Sequence, residues 1–458
     1  MSVAHVLTIA GSDSGGGAGI QADIKTVTAL GGFGMSVVTA LTAQNTLGVQ
    51  AIHEIPLHFV ETQFDSVCSD IRVDSAKTGM IRSPDMMGLV GRKIAEYGIE
   101  NLVVDPVMTA KGGASLIADD AVGACVECLL SRAKLATPNI PEAEILTGGE
   151  IRTLDDMKEA ARAISKTGAR SVLVKGGHLS GAVSAGSVLD VLFDEGRMHE
   201  FSTERIHTKN THGTGCTLSA AVATGLGKGM SVFEAVTEAK KYMDTAIRFS
   251  FGVGAGHGPV NHMAAVFRES RRYETIVELR NAVSTLKEAG IARLIPEIQS
   301  NLVYALPHAS CLAEVAGVPG RIIRVGDSIE TLRDPAFGAS SHVARIVITV
   351  MKYDEEYRSA MALKFSEQLV TVCRDLGFDM VCFSRKDEPQ EVKEREGSTL
   401  EWGTDSILGG RTSVPDIIFD RGEVGKEPVI RVLGKTPAEV AAKVLKIAKI
   451  PINDMDNS

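Results

Sequence analysis

The sequence predicts an α/β protein: a mainly parallel sheet with helices on both faces, plus a second, smaller α/β domain. Three observations lead there. At 458 residues the chain is long for one hydrophobic core, since chains split into domains beyond roughly 250–300 residues. Its first part alternates short apolar runs with amphipathic helical stretches, as strand–helix–strand units do. That alternation changes after the glycine-rich "FGVGAGHGP". The expected domains are therefore residues 1–265 and 273–458.

Taken in order, "AHVLTIAG" reads as a strand ending in glycine, and "IQADIKTVTALGG" as a helix with a glycine stop. "GMSVVTALTAQN", "DSAKTGM", "NLVVDPVM", "AKLATPN" and "SVLVKGGH" are short β-rich runs ending in polar residues or glycine. Helices are expected at "SPDMMGLVGRKIAEYG" and "TLDDMKEAARAISKTG". In the second domain, strands are expected near Gly320–Val325, Ala344–Met351 and Met380–Ser384, with a helix over Glu356–Leu376. Ligands in such folds gather at the carboxyl ends of the strands. The polar residues ending each run are thus the ones to examine.

Composition narrows the function classes. A net charge of −9 argues against nucleic-acid binding through bulk electrostatics, yet leaves room for local basic pockets. The 46 glycines point to backbone-lined ligand loops. Seven irregularly spaced cysteines make no disulfide framework, and Cys125 and Cys128 lack a second pair at zinc spacing. A reducing, cytoplasmic setting is expected. No apolar run reaches 18 residues and the N-terminal stretch lacks an export signal, so neither export nor a membrane partner is expected.

Five stretches could carry chemistry. "AGSDSGGGAGIQAD" has no Gly-Lys-Ser/Thr, which excludes a P-loop, and although Gly17, Gly19 and Ala22 meet the loose dinucleotide-site spacing, the lack of an acid about 20 residues on argues against such a site. Its glycines still allow close backbone approach to a small ligand, with Asp23 on the first helical turn. In "VVDPVM", Asp105 ends an apolar strand, and "TPNIPEAEIL" sets Asn139 and Glu142 three apart. Asp105 with Glu142 would suit a water-ligated Mg²⁺; Asn139 and Glu142 would equally suit a capping pair. In "VLVKGGH", Lys175 precedes two glycines and could meet a nucleotide phosphate. In "THGTGC", the amides of Gly213, Thr214, Gly215 and Cys216 would open a helix as an anion site. The same helix start is expected to lower the Cys216 thiol below its usual value, favouring its use as a base.

Together these residues resemble the hydroxymethylpyrimidine/phosphomethylpyrimidine kinases of thiamine biosynthesis, in the ribokinase superfamily. The resemblance runs from Ala4 to His262 and includes "LTIAGSDSGGGAGIQADIKT", "DSAKTGMI" and "NTHGTGCTLSAA". It implies a ribokinase-like sheet and phosphorylation of an aminopyrimidine alcohol, then of its monophosphate, with ATP and Mg²⁺. Cys216 is then the implied base, beside Gly213, Thr214 and Gly215. Gly11, Asp23, Gln44, Met80 and Val107 would line the pyrimidine pocket. Asn139, Lys175 and Thr211 would serve the nucleotide, and Asp105 and Glu142 the metal.

From about Tyr273 to Ile450 the chain is similar to archaeal-type thiamine-phosphate synthase domains. "IPEIQSNLVYALPHA", "VAGVPGRIIRV", "FGASSHVARIVITVM" and "PDIIFDRGEVGKEPVIRVLG" carry that likeness. It implies condensation of the pyrimidine diphosphate with hydroxyethylthiazole phosphate, with Arg321 and His342 catalytic and Ser340 and Ser341 binding substrate. Asp387, Lys426 and Glu427 are weaker candidates. A pyridoxal-type kinase joined to a thiamine-phosphate sensor is the competing expectation. Small-molecule substrates and a homo-oligomer are the expected partners.

Overall fold

β1 (His5–Asp13) is buried on nearly all its residues, as a strand must be when helices cover the sheet from either side. The structure, a computed structural model, describes residues 3–108, 121–177, 186–385, 388–389, 398–423 and 426–451. After β1 come β2 (Phe33–Asn45), β3 (Gly48–Glu54), β4 (Ser75–Thr78), β5 (Leu102–Val104) and β6 (Leu135–Ala136). β7 (Ser171–Lys175), β8 (Ser187–Asp194) and β9 (Arg197–Glu204) complete the sheet. Among the described residues its order is β3-β2-β1-β4-β5-β6-β7-β8-β9. Pairing is parallel from β2 through β7, and antiparallel where β3, β8 and β9 extend the edges.

Strand alternation divides the apolar residues between two layers. Leu7, Ile9, Leu102 and Val104 meet Phe64, Met86 and Val90 on one face. Val6, Val103, Leu135 and Leu173 meet Val27, Leu218, Val222 and Val236 on the other. The helix Thr214–Gly227 is buried along most of its length. Its alanines and glycines let it lie close to the sheet, with Ala220, Ala221 and Ala223 all in the interior. With both faces covered, polar residues lie at or beside the carboxyl ends of the parallel strands: Asp13, Lys77, Asp105 and Lys175.

The chain divides into two compact units, Met1–Val266 and Phe267–Ser458. In the second, β10 (Leu302–Ala305), β11 (Val315–Gly317), β12 (Ile322–Val325), β13 (Ser328–Thr331) and β14 (Ala336–Phe337) come first. β15 (Ser359–Lys364), β16 (Met380–Cys382), β17 (Ile417–Asp420) and β18 (Val429–Gly434) follow. The described strands make a sheet of order β14-β11-β10-β15-β18-β17-β16, with β12 and β13 paired separately. The helices Glu367–Asp375 and Pro437–Ala448 cover one face through Leu369, Val370, Val440 and Val444. The helix His342–Met351 covers the other through Val343, Ile346, Val347 and Val350.

Two expectations here are corrected. Ala344–Met351 is helical, not a strand. Its β-branched residues favour a strand by propensity, but Val343, Val347 and Val350 repeat at helical spacing and are buried. Glu356–Leu376 is not one helix: β15 lies between β10 and β18, and Ser366 then caps a helix by accepting the Leu369 amide at 3.1 Å. Ala, Met and Leu in "SAMALK" prefer helix, and sheet burial overrides that preference. No helix among the described residues is long and apolar enough to cross a membrane.

Candidate active site

Asp105, just past β5, is the centre of the polar edge. It is buried, and its Oδ1 accepts from Lys175 Nζ at 2.9 Å and from Thr137 Oγ1 at 3.0 Å. Its Oδ2 accepts from Ser219 Oγ at 3.4 Å. The charges of Lys175 and Lys77 outweigh the cost of burial and hold this carboxyl below its usual range. A Cβ placed on Gly215 would lie 3.5 Å from Asp105 Oδ2 and 3.6 Å from Lys175 Nζ. The "THGTGC" turn therefore sits directly on the acid–lysine pair.

That turn has the form an anion site needs. The helix Thr214–Gly227 starts at Gly213, whose φ of 78° is left-handed, and no side chain caps it. The amides of its first turn thus have no acceptor within the helix. Asn139 and Glu142 form a complete capping box: Glu142 N donates to Asn139 Oδ1 at 3.0 Å and Asn139 N to Glu142 Oε2 at 2.8 Å. Burial, strengthened by the Asp105 charge and opposed by Lys175, pushes the Glu142 carboxyl up to about 7. Lys175 is raised by the same two carboxylates.

Cys216 departs from expectation. It is only half-buried by surface exposure, yet the atoms crowded around it strip its thiol of water and raise it to about 11. Lys77 pulls the other way, while Asp23 and Asp105 add to the rise. The expected lowering is therefore overturned, because desolvation outweighs the pull of the helix start.

Asp23, expected to line a pocket, is instead fully buried. Lys77 Nζ lies 3.1 and 3.0 Å from its two oxygens, and Thr8 Oγ1 donates to Oδ2 at 2.6 Å. Burial raises the Asp23 carboxyl despite that lysine. Sequence reading missed Lys77, because a lysine in the polar run "SAKT" reads as a solvent-facing position, although all four residues are buried. Its ammonium feels Asp23, Cys216 and Asp105 together.

Two other groups lie at the same edge. Gln44 Nε2 lies 3.3 Å from His212 Nε2, and His212 Nε2 lies 2.9 Å from Asp13 Oδ2. Asp13 also accepts the amides of Gly15, Gly17 and Ala18, so it shapes the whole glycine loop. Neither Asp13 nor His212 was singled out from the sequence. A Cβ on buried Gly11 would meet Met80 Cε at 2.5 Å, which brings these two together. Val107 is half-buried beside Asp105, donating its amide to the Asp105 carbonyl at 2.8 Å. Thr211 is half-buried one residue before His212.

In the second unit, Arg321 is exposed at a left-handed φ of 70° and donates to the Ile298 carbonyl. Ser340 is buried against Gly317, where a Cβ would lie 3.0 Å from Ser340 Cβ. Ser341 and His342 are exposed at the start of the helix His342–Met351, with Ser341 Oγ 3.4 Å from His342 Nδ1. Glu427 takes a structural part, accepting the amides of Glu297 and Ile298 at 2.9 and 3.0 Å. Lys426 pairs with Glu423 through the backbone in a turn. Asp387 lies outside the described residues. A buried cluster that sequence reading missed joins Arg385 and Arg431 to Asp420, at 2.7 Å each.

Comparison with known proteins accounts for both parts. The phosphomethylpyrimidine kinase family matches residues 13–261, and thiamine-phosphate synthase ThiN matches residues 278–446. The thiamine biosynthesis bifunctional protein ThiED of Geobacter sulfurreducens is 55% identical over 260 residues, covering 57% of this chain and 52% of that protein. The chain thus spans about half the length of that relative. The hydroxymethylpyrimidine/phosphomethylpyrimidine kinase of Bacillus subtilis is 49% identical, covering 58% of this chain and 96% of that protein. Among solved structures, an ADP complex of Bacillus subtilis pyridoxal kinase matches with a TM-score of 0.53 at 38% identity, covering 58% of this chain and all of that one. The ribokinase-like fold is shared with that kinase, and by a match across more than half its length the chain belongs to the phosphomethylpyrimidine kinase family.

Proposed function

We propose that this chain is a bifunctional thiamine-pathway enzyme. Residues 1–265 would phosphorylate 4-amino-5-hydroxymethyl-2-methylpyrimidine and then its monophosphate with MgATP. Residues 273–458 would join the resulting diphosphate to hydroxyethylthiazole phosphate, releasing pyrophosphate and giving thiamine phosphate. The observation that carries the kinase reading is the uncapped Gly213 turn seated on the Asp105–Lys175 pair. Such a turn offers amide donors where a transferring phosphoryl group gathers charge. The synthase reading rests on the match at residues 278–446.

In the transfer step the substrate hydroxyl attacks the terminal phosphorus, the bond to the ADP oxygen breaks, and the hydroxyl proton passes to Cys216. The Gly213–Cys216 amides and Lys175 hold the phosphoryl oxygens, and Asn139 and Thr211 support the nucleotide. Asp105 and Glu142 suit a Mg²⁺ that keeps most of its water, since both are hard oxygen donors close enough to feel each other's charge. Among the described residues no three His, Cys, Asp or Glu side chains are placed to enclose a metal. The metal, when bound, would neutralise phosphate charge. Of the pocket residues, Gln44 meets the aminopyrimidine edge, and Gly11, Met80 and Val107 pack the ring. Asp23 acts through Lys77.

Two measurements test these halves. Cys216→Ala should lower turnover of the first phosphorylation about a hundredfold, within the usual range for a general base, with ATP and pyrimidine binding retained. Only the ionised thiol accepts a proton, and its acidity is set at about 11. Wild-type turnover should thus climb roughly tenfold per pH unit above neutrality while chemistry limits the rate, and the variant should not. A flat wild-type profile, or near-normal turnover in the variant, would return Cys216 to a packing role.

For the second half, the full chain given the pyrimidine alcohol, MgATP and thiazole phosphate should form thiamine phosphate and pyrophosphate. With His342→Ala or Arg321→Ala, the pyrimidine diphosphate should accumulate instead. Binding of thiamine phosphate with no synthesis would identify a sensor. A substrate panel including pyridoxal separates the pyrimidine reading from a pyridoxal-type kinase.

A further inference from the structure

We propose that Asp13 and His212 are positioning residues that fix which way the Gln44 carboxamide points, and so whether the pocket accepts an amino or an oxo pyrimidine. This rests on the reading of Gln44 as the residue that meets the ring edge.

Asp13 accepts three backbone amides, from Gly15 at 2.8 Å, Gly17 at 3.1 Å and Ala18 at 2.8 Å. These bonds and the His212 contact outweigh its burial and keep the carboxyl ionised. An ionised carboxylate has no proton to give. His212 Nε2, at 2.9 Å from Asp13 Oδ2, must therefore carry the proton of that bond. A protonated Nε2 has no free lone pair to take a Gln44 N–H, so the Gln44 atom 3.3 Å away can bond it only as a second acceptor that shares this one proton with Asp13.

The other end of the amide gives the same answer. Thr42 Oγ1 lies 3.2 Å from the Gln44 amide and 3.0 Å from the Ser12 carbonyl. Its single proton goes to that carbonyl, so Thr42 must accept from the Gln44 NH₂ group. Both counts place the amide oxygen toward His212 and the nitrogen toward Thr42. This is the reverse of the orientation that sets Gln44 Nε2 against His212, and the two are alike in shape.

The imidazole itself is held. Its backbone amide donates to the Gly258 carbonyl at 3.0 Å, and a Cβ on Gly17 would lie 2.5 Å from His212 Cδ2. A fixed amide presents its donor and acceptor in one order only. An aminopyrimidine edge offers an amino donor beside a ring-nitrogen acceptor; a 4-oxo ring offers the reverse.

The test compares kcat/KM for the 4-amino and 4-oxo forms of the hydroxymethylpyrimidine, using the full chain. Wild type should prefer the amino form. In His212→Ala only Thr42 still holds the amide, and its hydroxyl can rotate to donate to the oxygen of a turned amide, so the preference should fall about tenfold or more. His212→Gln, which restores an N–H donor, should recover much of it. An unchanged preference in His212→Ala overturns the proposal, even if both rates fall. Gln44→Ala is the control on the underlying reading: if it alters neither kcat/KM, Gln44 does not meet the ring and that reading fails first. Should His212→Ala not fold, ¹⁵N NMR of the wild-type imidazole decides. A protonated Nε2 is expected, and a bare Nε2 overturns the proposal.

Discussion

Replacing Gly213 with alanine is expected to abolish kinase turnover and to lower the stability of the first unit. The residue has a φ of 78°, where a Cβ costs roughly 1–2 kcal/mol. Sterics add more, because the new methyl would overlap the Gly17 carbonyl oxygen of the opposing glycine loop. Neither side can yield easily. Gly17 is itself tied to Asp13 and packed against His212. Relief would have to come from shifting the first turn of the helix, whose amides are proposed to aim at the phosphoryl group. Steady-state kinetics with a thermal unfolding curve checks this, and a fully active, normally stable Gly213→Ala chain would show that the turn is not the phosphoryl site.

The second large effect is expected at Asp105. Asp105→Asn keeps the shape but removes the charge against which Lys175 and Lys77 are set. Removing one partner of a buried ion pair typically costs about 3–5 kcal/mol, because the other charge stays buried. Turnover should fall about 10²–10³-fold as Lys175, proposed to hold a phosphoryl oxygen, loses its place. Lys175→Met should fall comparably, and the double variant should be little worse than either single one, since the pair acts as a unit. Additive losses would mean that the two side chains act separately. Melting curves and kcat for the three variants decide the matter.

Much of the first unit is legible because a parallel sheet imposes its own order. Asp105, Asn139–Glu142, Lys175 and Gly213–Cys216 each close a strand or open the helix after it. Once helices cover both faces, those carboxyl ends share one edge. The capping box at Asn139 is likewise readable, because both of its bonds are local in sequence. The second unit is harder. Its sheet is largely antiparallel, so consecutive strand ends point to opposite edges and chain order does not gather its polar residues. Propensity also misled there, at Ala344–Met351 and at β15, where burial between neighbours outweighs preferences worth a few tenths of a kcal/mol per residue.

What the sequence determined by itself was local: strand ends, glycine turns, caps, and the order of groups along the sheet edge. Spacing and periodicity encode these directly. What only the tertiary structure decided was environment. Lys77 becomes a buried cation because Asp23, 54 residues away in sequence, lies across from it. Asp13 finds His212 across 199 residues. The Cys216 thiol moves up rather than down because water is excluded by side chains from several elements. Desolvation is a property of how closely the chain is packed in space, and no short stretch of sequence carries that information.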